Sequence, residues 1–199
     1  MTSLLVQSPS VPLTIHFPLT SMTAEEFDQF CLANQDLRIE RTAKGKVIIM
    51  PPAFSDTGNR NVKISQQLAN WSDQNGTGES FDSSAGFTLP NGAMRSPDAS
   101  WILLSRWNVL TDEQKASFAP ICPDFVIELC SVSDRLNDLQ EKMLEYLSNG
   151  ILLGWLIDRQ NRRVYIYRPN QAIEILDNPE MVKGDPELPG FVLQMAKIW

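Results

Sequence analysis

Asp98, Glu128 and Lys142 are the residues of this chain whose types and surroundings point to chemistry. Glu128 is set into Phe125-Val126-Ile127-Glu128-Leu129-Cys130, a continuous apolar run preceded by Pro120 and Pro123 and followed by Ser131 and Ser133. Such a run, partly β-branched and bounded by breakers, predicts a strand buried on both faces. Glu128 is therefore expected inside. An ionised carboxylate in that position costs on the order of several kcal/mol unless a cation, a metal or hydrogen-bond donors meet it.

Asp98 follows Pro97 at the start of a second apolar run. Sheet geometry can set it beside Glu128, where two carboxylates repel unless a hard divalent cation, Mg2+ or Mn2+, lies between them. Lys142 falls on the helix expected after the Glu128 strand. It lies roughly 90° from the centre of that helix's apolar stripe, so its ammonium reaches over the sheet toward Glu128, with Asp138 as its i,i+4 partner on the exposed side. Two carboxylates, a cation and a lysine suit metal-assisted attack of water on a phosphodiester. Each residue also has a plainer reading: a Pro-Asp turn, a snorkelling lysine, and for Glu128 a structural salt bridge to Arg95, Arg106 or Lys142.

The elements that must position these residues follow from pattern. Thr23 and Glu26 have capping-box spacing ahead of Phe27, Phe30, Cys31 and Leu32, which predicts a short amphipathic helix. Leu37 to Arg41 and Lys46 to Met50 read as a hairpin around Ala43-Lys44-Gly45 that Pro51-Pro52 ends. A helix from about Gly58 to Gln74, with Ile64, Gln67, Leu68 and Trp71 on one face, stops at Asn75-Gly76. Phe81 to Leu89 and Ser96 to Leu104 flank the turn Pro90-Asn91-Gly92, and Thr111 opens a short helix.

In the Glu128 strand, alternation puts Val126, Glu128 and Cys130 on one face and Phe125, Ile127 and Leu129 on the other. Ser133 or Asp134 is expected to cap the next helix, whose stripe is Leu136, Leu139, Met143, Tyr146 and Leu147. Leu152 to Asp158 and Val164 to Arg168 form a further hairpin, and Ala172 to Leu176 another strand. The order predicts an α/β (α+β) architecture, a mixed β-sheet flanked by helices.

Composition narrows the chemistry. The 199 residues suit one domain, read as 23–199 behind an extended leader at 1–22 that is rich in Pro, Ser and Thr. The single histidine, His16, lies in that leader, which argues against triads, Cys-His pairs and histidine metal sites. Cys31, Cys122 and Cys130 lack CxxC spacing and are expected to be reduced. No signal peptide or membrane span is read, so a cytoplasmic location is expected. A net charge of -7 argues against broad adhesion to nucleic acid. Arg159, Arg162 and Arg163 cluster at a hairpin tip, where a solvated turn is preferred over a phosphate-binding edge. The five tryptophans read as core or interface residues rather than a stacking platform.

Several segments together carry a resemblance. Arg95-Ser96-Pro97-Asp98, Cys122-Pro123-Asp124-Phe125-Val126-Ile127-Glu128-Leu129 and Asp134 through Lys142 to Tyr146 are followed by Gly150, Gly154-Trp155-Leu156-Ile157-Asp158 and Leu188-Pro189-Gly190-Phe191. Over about Glu25 to Ile198 the chain resembles the Uma2 family, restriction-endonuclease-like proteins abundant in cyanobacteria and placed in the PD-(D/E)xK nuclease superfamily.

The resemblance implies a restriction endonuclease-like fold and a Mg2+-dependent (or Mn2+-dependent) endonuclease acting on nucleic acid, DNA first. It implies Asp98, Glu128 and the backbone carbonyl of Leu129 as metal ligands, and Lys142 as the migrated counterpart of a lysine that the superfamily places where Cys130 stands. The first-helix acid is replaced by Asn59, Asn61 and Gln66, and Ser131-Val132 stands where Ser-Pro is common. The alternatives are a catalytically inactive nuclease-fold binding or regulatory protein and a metal-dependent hydrolase of small phosphates. Phe191 and Trp199, read as exposed aromatics, suggest a homodimer.

Overall fold

The computed structural model of the chain describes residues 13–15, 22–34 and 37–199. His16 and most of the leader lie outside them. Strand β1 (Leu13–Ile15) is followed by helix α1 (Ala24–Ala33), which opens with the expected capping box: Thr23 Oγ1 accepts from the Glu26 N–H at 3.2 Å and Glu26 Oε2 from the Thr23 N–H at 2.8 Å. The hairpin β2 (Arg38–Arg41) and β3 (Val47–Met50) turns through Gly45, whose φ of 80° falls in the left-handed region. Helix α2 (Ser55–Asn75) ends where Gly76 takes φ 67°.

Strands β4 (Gly78–Asp82), β5 (Phe87–Thr88), β6 (Met94–Arg95) and β7 (Ala99–Leu103) precede the short helices α3 (Leu104–Trp107) and α4 (Asp112–Lys115). Then come β8 (Phe125–Cys130), α5 (Leu136–Ser148), β9 (Leu153–Asp158), β10 (Arg163–Tyr167) and β11 (Glu174–Asp177), and finally β12 (Met181–Lys183) and β13 (Val192–Gln194).

Among the described residues these strands form a six-stranded sheet, β11-β10-β9-β8-β7-β4, a five-stranded sheet, β1-β3-β2-β6-β5, and the pair β12-β13. The six-stranded sheet is mixed: β8 and β9 run parallel, joined through α5, and every other pairing is antiparallel. That is the predicted α/β architecture with helices on its faces. The two arms read around Pro90-Asn91-Gly92 divide differently from the expected hairpin. β5 and β6 make the hairpin at that turn in the smaller sheet, while β4 and β7 pair with each other in the larger one. Asp82 accepts from the Ser84 backbone and hydroxyl, and that turn takes the chain out of the larger sheet.

All six residues of β8 are buried, and their alternation is as read. Phe125, Ile127 and Leu129 pack with Ile64 and Leu68 of α2 and with Trp101, Trp155 and Phe191. Val126 and Cys130 pack with Met143 and Tyr146 of α5. Each such buried large side chain contributes about 1.5–3 kcal/mol relative to exposure.

Two expectations fail here. Phe191 is 1% exposed and stacks on Trp155, centroids 5.5 Å apart, so it is core rather than a dimer face; Trp199 is partly buried and packs on the same cluster. No side chain caps α5, which starts behind Arg135; Asp134 accepts from the Ser131 N–H at 2.8 Å, closing the strand-to-helix turn. None of the described helices is long and apolar enough to cross a membrane.

Candidate active site

The register that pairs Ala99 with Ile127 sets Asp98, one residue before β7, opposite Glu128 in the middle of β8. Lys142, one turn before Tyr146 on α5, faces the sheet. Its Nζ lies 2.8 Å from Glu128 Oε1, and the Tyr146 hydroxyl donates to the same oxygen at 3.0 Å. The three residues singled out from sequence thus converge from a strand start, a strand centre and a helix.

Lys142 is not turned toward Asp138. Its second partner is Glu40 Oε1, at 2.9 Å. Glu40 was not anticipated. Its other oxygen meets Arg95 at 3.0 Å, its first oxygen also accepts from the Ser96 N–H at 2.9 Å, and Arg95 continues to Glu145 at 2.6 Å. In Arg38-Ile39-Glu40-Arg41 the alternation alone suggests that Glu40 faces water. What buries it is its place beside β6, which carries Arg95, and under Lys142 of α5. Of the three partners considered for Glu128, Lys142 is the one found; Arg95 serves Glu40, and Arg106 pairs with Asp124 at 2.7 Å.

Electrostatics separates the two glutamates. Burial pushes Glu40 up, but Lys142, Arg95 and the Ser96 N–H outweigh it and hold its pKa at about 2. Glu128 is 4% exposed. Burial raises it, Lys142 lowers it, and the neighbouring Asp98 and Glu40 carboxylates raise it again, leaving it at about 7. Burial lowers Lys142, but Glu128 and Glu40 raise it further, so the ammonium stays charged. Cys130, at the position where the resemblance implies a strand lysine, is a buried thiol pushed up to about 12 by desolvation.

Asp98 is held from three directions. Its Oδ1 accepts from Asn61 Nδ2 at 3.0 Å and lies 3.6 Å from an Arg38 nitrogen, and its Oδ2 accepts from the Leu129 N–H at 2.9 Å. Asn61, on α2 at a place where the resemblance implies an acid, leaves its amide oxygen buried with no donor. Both contacts made to the Glu128 carboxylate, from Lys142 and Tyr146, fall on Oε1. Among those residues no three His, Cys, Asp or Glu side chains gather as a metal-holding group. A divalent cation of the Mg2+ type needs less, since it binds through one or two carboxylates and keeps several waters. The second Glu128 oxygen, the Asp98 carboxylate and the orphaned Asn61 oxygen suit such an ion.

These groups line a cleft of about 370 Å³ bounded by Arg38, by Met50 to Phe54 between β3 and α2, and by Ser131, Ser133 and Asp134 after β8. At the β9–β10 tip Arg159 pairs with Asp56 and Arg163 with Asp177, while Arg162 donates to Asn178 Oδ1.

Comparison with known proteins places the chain in a family and matches its fold. Residues 24–196 match the model of the Uma2 family, described as "Putative restriction endonuclease". Among solved structures, the fold is similar to that of a protein from Anabaena variabilis described as "a putative nuclease belonging to DUF820". The TM-score is 0.69 at 23% identity, over 80% of this chain and 88% of that one. No curated protein matches the chain. With a family match over nearly all of the described residues and a shared fold, the chain belongs to the Uma2 family.

Proposed function

We propose that the protein is a divalent-metal-dependent endonuclease that hydrolyses the phosphodiester bonds of DNA. The observation that supports this most is the convergence of Asp98, Glu128 and Lys142 at one cleft, with Lys142 Nζ 2.8 Å from Glu128. Asp98, Glu128 and the carbonyl of Leu129 are the proposed ligands. A bound Mg2+ or Mn2+ supplies Lewis acidity toward phosphate oxygen and water.

The chain's own groups do the rest. Lys142 holds a permanent positive charge beside the site of charge development on phosphorus and fixes the Glu128 carboxylate in place. Tyr146 restrains the same carboxylate through its hydroxyl. Asn61 and the Leu129 N–H restrain Asp98, so neither acid has to reorganise during reaction. Asp98→Ala and Glu128→Ala should each abolish Mg2+-dependent cleavage of DNA while the protein stays folded. Cleavage by Glu128→Ala at the wild-type rate would sink the assignment.

A second reading, a catalytically inactive nuclease-fold binding or regulatory protein, draws on a specific feature: Glu128 Oε1 and Glu40 are already neutralised by Lys142 and Arg95. Calorimetric titration with Mg2+ and Mn2+ separates the two. Binding that disappears in Asp98→Ala supports the enzyme, and no binding supports the scaffold. Cleavage of both strands of a duplex calls for two sites, and sedimentation of the full chain reports whether it forms the homodimer that would supply them.

A further inference from the structure

Two features of the cleft are unused by the chemistry above. The first is Arg38. One of its terminal nitrogens lies 3.4 Å from the Ser96 carbonyl and 3.6 Å from Asp98, yet its Nε is buried and donates to nothing. The side chain is 33% exposed. Its Nη1 meets no acceptor among the described residues, and a guanidinium N–H left free in this way can meet a phosphate oxygen. Lys142 is the other cation lining the cleft, and it is already shared between two carboxylates. Arg38 is the one with donors to spare.

The second is Phe54. It lines the cleft, is 62% exposed, and follows Pro51, Pro52 and Ala53, whose prolines stiffen an extended approach to α2. A large ring left in water at the mouth of a polar site is a surface for stacking. The charge around it speaks to what stacks there. The cleft is lined by two cations, Arg38 and Lys142, against three carboxylates, Asp98, Glu128 and Asp134. Tracking a duplex backbone needs many phosphates neutralised by basic side chains, and this rim lacks them. In a duplex the bases are also stacked on each other and closed to Phe54. In a single strand each base offers a free face to an aromatic ring, and one phosphate can be met by one arginine.

We infer that the cleft takes an unpaired nucleotide of single-stranded nucleic acid, with its phosphate on Arg38 and its base against Phe54. For cleavage this rests on the nuclease reading, but for binding it does not. The test is fluorescence anisotropy of the full chain with a labelled oligo-dT and a labelled duplex of equal length. Ca2+ replaces Mg2+ as the oxygen-binding cation, and cleavage of both probes is assayed separately in Mg2+.

The single strand should bind at least about tenfold more tightly than the duplex, by the affinity conversion for stacking and phosphate contacts. Phe54→Ala should weaken that binding about 5- to 150-fold, with Phe54→Tyr restoring it. Arg38→Ala should weaken binding and flatten its salt dependence by about one phosphate contact. Duplex binding as tight as single-strand binding, or single-strand binding unchanged in Phe54→Ala, overturns the inference. Cleavage of duplex by Phe54→Ala at the wild-type rate, without single-strand preference, overturns it while the nuclease reading stands. Selective single-strand binding without cleavage of either probe removes the nuclease reading and supports the inference.

Discussion

Lys142 Nζ and Glu128 Oε1 lie 2.8 Å apart, one on the sheet-facing side of α5 and the other at the centre of a fully buried strand. Because the same ammonium also meets Glu40, a single cation ties the larger sheet to the smaller one through the helix between them. The candidate site and the packing of the two sheets therefore share a residue.

Lys142→Met tests that double role. Removing the cation leaves Glu128 and Glu40 buried with a lost partner, a change that costs about 3–5 kcal/mol when a buried pair is broken from one side. Urea unfolding at neutral pH should show a loss of that order together with loss of cleavage. A loss below about 1 kcal/mol, the range of exposed pairs, would mean that the ion pairs are solvent-screened.

Glu128 sets a pH dependence of stability in chelator. Its folded pKa of about 7 lies above the ordinary 4.5, so the fold favours the protonated form. The stabilisation is complete below the unfolded value and is lost as pH rises through about 7, with a total on the order of 3 kcal/mol. Unfolding curves between those limits should show wild type losing stability relative to Glu128→Gln. Saturating Mg2+ should shrink the loss, because a bound cation favours the ionised form. Parallel curves for the two proteins would count against the burial of this charge.

Glu40 acts in the opposite direction. Held at about 2 against an ordinary 4.5, it contributes stability that is present above the unfolded value and disappears as pH falls through the folded one. Acid titration followed by tryptophan fluorescence should therefore show a shallower fall in stability below about pH 4.5 in Glu40→Gln than in wild type. At neutral pH the variant should also be the less stable protein, with Arg95 and Lys142 each short of an anion. An unchanged acid limb would remove Glu40 from the network.

Gly78→Ala probes the packing under β7, the strand that follows Asp98. A Cβ there would stand 2.2 Å from the Trp101 ring and 2.5 Å from the Ile102 carbonyl, neither of which can swing away. Trp101 is further pinned by its indole N–H, which donates to Ser72 Oγ at 3.1 Å. Overpacking of this kind costs about 1–3 kcal/mol, read as a lowered melting temperature by calorimetry. Melting at the wild-type temperature would show that β4 and Trp101 are free to move apart.

Much of the framework could be read from local pattern. The capping box at Thr23, the Gly76 stop, and the alternation that divides Phe125, Ile127 and Leu129 from Val126, Glu128 and Cys130 are consequences of residue type and period. So was the burial of Glu128, since an apolar run bounded by prolines and serines has no polar face to offer water. The reach of Lys142 followed from its place beside the apolar stripe of α5.

What only the tertiary structure decided is who meets these groups. Glu40 and Arg38 sit in a strand whose alternating charges look like a solvated face, and nothing near them in sequence signals Lys142, Arg95 or Asp98. Phe191 read as exposed because its burial depends on Trp155, a strand contributed from elsewhere in the chain. Periodicity reports how a segment divides inside from outside, because that depends on backbone repeat. The partner across the interior depends on how two sheets and a helix pack, and that is set by contacts between residues far apart in sequence.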